Sequence, residues 1–190
     1  METENTPQPE NAPPTLRNHA LRWGLIVGLT SAILSLLLYV VDYSLMADWK
    51  VGLSLLAIYI GLTIYAGMGY RKESGPYLSF GKAYQHGFIV FACSGLIATL
   101  FNIMLFQVID PDLGGKVTEV AVENTATMMA NFGAPPDKID EALEDTRERM
   151  TNQYTLMGQV KGYAFILIVS AVFALVTGLI VRKPEPVFDK

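Results

Sequence analysis

Two histidines are the first side chains to test for chemistry: His19, which lies between Arg17 and Arg22, and His86, which follows Lys82 and Tyr84. A pair of imidazoles can hold a metal or move a proton, but these two lack nearby carboxylates and an HExxH-type spacing. Each is expected to be an interfacial or solvated histidine, and nothing in the sequence requires the two to meet. Lys82, Tyr84 and His86 do not make a complete nucleophile and base set, so a membrane enzyme is only the third reading of the chain. Glu141, Glu144, Asp145 and Glu148 supply carboxylates for a divalent cation, yet without the ordered ligand spacing and central glycine of a calcium loop they read as a solvated helical face. The single cysteine, Cys93, sits in an apolar window and can form neither a disulfide within the chain nor a cysteine metal cluster. No catalytic residue, cofactor or metal is assigned, and the expectation is a non-enzymatic protein.

A second group of polar residues lies within apolar sequence. Asn102, with Thr99 and Gln107, is the most polar cluster inside any apolar window, and interhelical hydrogen bonding explains it better than substrate binding. Small residues recur at four-residue spacing as Gly24 with Gly28, Ser94 with Ala98, Gly158 with Gly162, and the three-member ridge Ser170, Ala174 and Gly178. In lipid this spacing lets helix backbones approach closely, either within one bundle or, for the ridge, at an oligomer interface.

The elements that must carry these residues follow from how charge is distributed. The 190 residues are 51% hydrophobic and only 17% charged, with a positive mean hydropathy. A soluble chain would carry about 25% charged residues, spread along every amphipathic element. Here the charges avoid four windows, about 23–41, 51–70, 88–109 and 162–181, each near the ~20 residues a helix needs to cross the hydrocarbon core. The loop DYSLMADWK makes the first two an antiparallel hairpin. Gly75-Pro76 breaks the chain before the third, with Ser79 as its N-cap, and Asp110-Pro111 ends it. Residues 1–16, rich in Pro, Glu, Asn and Thr, are expected to form a disordered tail. They lack the basic opening of a signal peptide, although a small-residue site near Ala47 leaves cleavage open. The divisions are then 17–110 for three spans, 111–160 for a long loop and 161–190 for the fourth span with a short tail.

Four spans place both termini on one side of the membrane. Arg17, Arg22, Arg71, Lys72, Arg182 and Lys183, helped by Lys82 and Lys190, mark that side as cytoplasmic, because short basic loops are retained there. The segment 110–159 holds ten acidic residues against four basic ones, which argues against nucleic acid as a partner. This loop is too long to be a mere connection and has helical spacing of its own. Val117, Val120, Ala121, Asn124, Met128 and Phe132 form one stripe, ended by the Gly133–Pro136 break. Ile139, Leu143, Met150 and Tyr154 form a second, which makes them a candidate interaction surface. No strong breaker follows Pro136, so the second helix is expected to continue into span four, bending at Gly158 or Gly162.

The segment YLSFGKAYQHGF, Tyr77 to Phe88, followed by an apolar span and FQVIDPDL, Phe106 to Leu113, resembles a family of uncharacterised bacterial membrane proteins, the domain-of-unknown-function family 4199. The resemblance runs from about Leu21 to Val181. It implies an inner-membrane protein with no established activity and no catalytic residues to transfer. The fold expected is an all-α integral membrane protein: a four-helix transmembrane bundle with an extracytoplasmic helical hairpin between helices 3 and 4. Its expected partners are the lipid bilayer and either another envelope protein or a second copy of the chain. A small oligomeric transporter or channel lined by Asn102, Thr99, Ser94 and the fourth-span ridge is the alternative, without visible inverted repeats.

Overall fold

The computed structural model describes residues 15–185. The expected disordered tail therefore lies outside the described residues except for its last two positions, where Thr15 accepts a hydrogen bond from the Asn18 amide (3.3 Å) and caps a helix beginning at Leu16. Six helices follow: α1 Leu16–Asp42, α2 Trp49–Ser74, α3 Phe80–Met104, α4 Leu113–Asn131, α5 Pro136–Tyr154 and α6 Leu156–Val181. Four stretches of helix are long and apolar enough to cross a membrane: α1 with the turn after it, α2, α3 with the turn after it, and α6.

The helix ends follow the local chemistry. A 3₁₀ turn, Tyr43–Ala47, separates α1 from α2, with the Asp42 and Asp48 carboxylates accepting from the Ser44 and Lys50 amides at 2.9 and 2.7 Å. Helix α2 ends at Gly75, whose φ of 127° is open to glycine and strained for other residues. Ser79 caps α3 as the sequence predicts, through a long contact (3.5 Å) from the Lys82 amide. At its far end α3 passes into a π-helical turn, Leu105–Ile109, closed by the Asp110 amide donating to the Leu105 carbonyl (3.0 Å).

Helix α3 is the centre of the bundle, packed between α1 and α6, because small residues let the three backbones approach. A Cβ on Gly24 would stand 2.6 Å from the Cβ of Cys93, and one on Gly28 would stand 2.8 Å from Ile97. On the other flank, a Cβ on Gly87 would stand 2.7 Å from the Thr177 hydroxyl, and one on Gly178 would be 3.2 Å from the Tyr84 backbone. The ridge Ser170, Ala174 and Gly178 is accordingly buried within the chain. At the terminus end of the bundle, where the chain enters α1 and leaves α6, α2 joins the seam. Gly67 faces Val181, and the Arg71 guanidinium donates to the Val181 carbonyl (2.9 Å). Leu78 and Lys183 exchange two backbone hydrogen bonds of 2.8 and 2.9 Å.

The opposite end is looser. Buried residues stop at Ala32 in α1, begin only at Thr63 in α2 and begin only at Ser170 in α6. Helices α4 and α5 pack on each other there, turning through Gly133 with its φ of 70°. The four-residue core Leu105, Phe106, Leu113 and Val117 joins them to the bundle.

Two expectations about this segment are corrected. The chain does not run as one helix from α5 into α6: Thr155 is extended (φ −67°, ψ 155°), and its hydroxyl accepts from the Gly158 amide (3.0 Å) to start a new helix. A side chain at Gly158 would collide with the Asn152 carbonyl, so this glycine permits the break between α5 and α6 rather than a bend inside a helix. The α4 stripe also ends early. Leu113, Val117 and Val122 are buried, whereas Met128 is 50% exposed and Phe132, past the last turn, is 85% exposed.

Candidate functional site

The two histidines, expected to be interfacial or solvated, meet inside the protein. His19 Nδ1 and His86 Nε2 lie 2.9 Å apart, and the two residues are 6% and 1% exposed. One ring must donate and the other accept, so at least one imidazole is neutral whenever this bond exists. Tyr70 of α2 stacks on His86 with centroids 5.2 Å apart, and His19 lies 5.3 Å from Tyr70 and 6.3 Å from Trp23. The half-exposed carboxylate of Glu73 reaches to 3.8 Å from His19 Nε2, supplying the nearby acid that sequence reading missed. Three helices thus contribute to one polar junction at the terminus end. Among the described residues no three His, Cys, Asp or Glu side chains are grouped to hold a metal.

This burial was readable in the helical spacing. His86 falls on the stripe Ala83, His86, Gly87, Val90, Phe91 and Ser94, and His19 on the stripe continued by Ala20, Gly24, Val27 and Gly28. The apolar windows, drawn by absence of charge, began too late on α1 and α3 to include either ring.

Further along α3 the polar groups belong to the looser half. Ser35 of α1 donates to Asn102 Oδ1 (3.2 Å), the interhelical bond that the sequence suggested. Ser94 is buried, donates to the Val90 carbonyl (2.7 Å) and lies in contact with the Tyr59 hydroxyl. Two cavities flank Asn102. One of about 310 Å³ lies between α1, α2 and α3, and one of about 340 Å³ lies between α3, α6 and the end of α5. They share Asn102, Phe106, Gln153 and Tyr154 as a common wall. Thr99 lines the second, as does Gln159, whose Oε1 is buried without a hydrogen-bond partner; leaving an acceptor so costs about 1–3 kcal/mol.

The proposed hairpin stripe faces inward. Met150 and Tyr154 pack against the core that joins α3 to α4, and Ile139 and Leu143 are half-buried. Tyr154 stacks on Phe106 (4.4 Å), its carbonyl accepts from the Gln107 amide (2.7 Å), and burial pushes its phenol up to about 12. Next to it, Lys116 donates to both Asp110 oxygens at 3.2 and 2.9 Å, holding that carboxyl below its usual range. What the hairpin leaves outward is the acidic face of α5, together with Met128 and Phe132. Between α4 and the start of α2 is a cleft of about 760 Å³, lined in part by Trp49, Lys50, Asn124 and Met128.

The sequence profile of a family described as "Protein of unknown function (DUF4199)" matches residues 22–183. The chain belongs to this family. The match takes in the Asn102 region, all of the hairpin and every apolar helix apart from the first turns of α1, and it includes His86 but not His19. Among curated proteins and among solved structures, nothing matches.

Proposed function

We propose that this protein is a non-enzymatic, four-span protein of a bacterial inner membrane whose α4–α5 hairpin stands on the extracytoplasmic side and docks another envelope protein. The observation that carries this reading is Phe132. A large apolar ring that is 85% exposed, at the tip of a polar hairpin and beyond the apolar helices, has no role in the packing of its own chain. With the exposed Met128 one turn before it, Phe132 makes an apolar patch rimmed by polar groups, the kind of surface where proteins meet. Met128 and the cleft beside it continue the same surface toward Trp49 and Lys50. The concentration of Arg71, Lys72, Arg182 and Lys183 at the terminus end supports cytoplasmic termini.

A transport role receives less support. Ser94 and the ridge Ser170, Ala174 and Gly178, which would line a path, are buried against neighbouring helices of the same chain.

Two experiments test the proposal. A photoreactive phenylalanine analogue at position 132, in living cells, should give one crosslinked species, which Met128→Lys should weaken. Random labelling insensitive to that change would count against docking. For the topology, a cysteine at Glu144, in a Cys93→Ala background, should react with a membrane-impermeant maleimide from outside, and one at Lys183 only after the membrane is opened. The reverse pattern would overturn the orientation.

A further inference from the structure

We infer that the two cavities around Asn102 form one binding site for a lipid with an uncharged, hydroxyl-bearing head, entered sideways from the bilayer. Helices α2 and α6 touch at the terminus end, where Gly67 meets Val181, but toward the hairpin neither has a buried residue, and each lines one of the two cavities against α3. The resulting crevice lies along helices apolar enough to span a membrane, so lipid molecules are what reach its mouth. Most of its wall is aliphatic or aromatic, suited to chains.

The back of the crevice is different. Asn102 accepts from Ser35 through Oδ1, and its side-chain nitrogen makes no hydrogen bond among the described residues. Gln159 donates through Nε2 to the Tyr154 carbonyl (3.3 Å), while its Oε1 is buried without a partner. A free donor and a free acceptor facing one space are what a hydroxyl satisfies, since it gives one hydrogen bond and takes others. Neither cavity is lined by Asp, Glu, Lys, Arg or His, so a phosphate or ammonium head would enter this layer without a counter-charge. A neutral glycerolipid such as diacylglycerol meets both requirements. The π-helical turn at Leu105–Ile109 adjoins the same wall through Phe106, a placement common at binding sites.

Glycine supplies the control. Gly162 lines the second cavity, and a Cβ there would meet nothing within 4 Å, so Gly162→Leu adds a side chain at the crevice from a position with room for its Cβ. The experiment uses the full chain in detergent micelles, photolabelled with a diazirine-bearing diacylglycerol and mapped by mass spectrometry. Labelling should concentrate on the α3 and α6 segments around Asn102 and Gln159 and fall at least fivefold in Gly162→Leu and in Gln159→Leu. Unlabelled diacylglycerol should compete, whereas glycerol alone and a phosphatidylglycerol of the same chains should not. Labelling spread evenly over all apolar helices, or unchanged in Gly162→Leu, would mean the crevice holds only bulk detergent or water and would overturn the site. Equal competition by phosphatidylglycerol would overturn the neutral head, and competition by glycerol would overturn the lipid.

Discussion

The two ends of the helical bundle are built from the same kinds of residues but in opposite arrangements. At the terminus end, Gly24, Gly28, Gly87 and Gly178 are each covered by a neighbouring helix, and the polar pair His19–His86 is matched donor to acceptor. Toward the hairpin, Gly52 and Gly162 face open space, and Gln159 Oε1 is buried without a partner. A small residue in an apolar helix is therefore not a packing signal by itself. It becomes one when the opposing helix presents a complementary row, as α3 does to α1 and α6 near the termini. Incomplete hydrogen bonding similarly separates a structural polar cluster from one available to a ligand.

The largest effect expected is on the seam. Gly178→Leu drives a side chain toward the Tyr84 backbone and should cost about 1–3 kcal/mol or more, because overpacking forces backbone shifts. Gly162→Leu on the same helix should cost nothing and gain up to about 1 kcal/mol from helix propensity. Denaturant titration of both variants in micelles makes the comparison, and equal losses would break it. Next is His86→Leu, which strands one nitrogen of His19 and should cost about 1–3 kcal/mol. The double variant His19→Leu/His86→Leu should cost less than the two singles added, as a coupled pair requires. Ser35→Ala, in the loose half, should cost only about 0.6 kcal/mol, in line with interhelical hydrogen bonds measured in membranes.

The smallest effect belongs to Asp110 and Lys116. Hydrogen bonding to Lys116 lowers the folded carboxyl below 3.8, so its contribution is present above the unfolded value and is lost as pH falls through the lower folded one. The ammonium is raised above 10.5, chiefly by the same bond, so its share is present below that value and is lost as pH climbs past the folded one. Melting curves of the wild type and Asp110→Asn should differ at neutral pH and converge in strong acid. Curves that stay parallel at every pH would assign the pair no role.

The four apolar helices were plain in the sequence because lipid demands long uncharged runs, and Ser79, Gly133 and Pro136 marked boundaries where backbone chemistry leaves little choice. The His19–His86 pair was hidden for a different reason: searching for charge-free windows discards the first turns of each helix, where a polar residue can still face inward. The break at Thr155 had only a threonine able to serve as an N-cap for its signal, overshadowed by the continuous helical composition around it. Divergence of α2 and α6 had no local signature, since it depends on which helices find complementary rows.

Pulsed electron–electron spin-label distances measure that divergence. With Cys93 replaced by alanine, labels at the exposed pairs Met68 with Leu179 and Leu53 with Phe165 report the two ends of α2 and α6. A longer and broader distance for Leu53 with Phe165 in lipid nanodiscs is the expected result. Equal distances at both ends would show that the helices run closed along their whole length and would contradict the account.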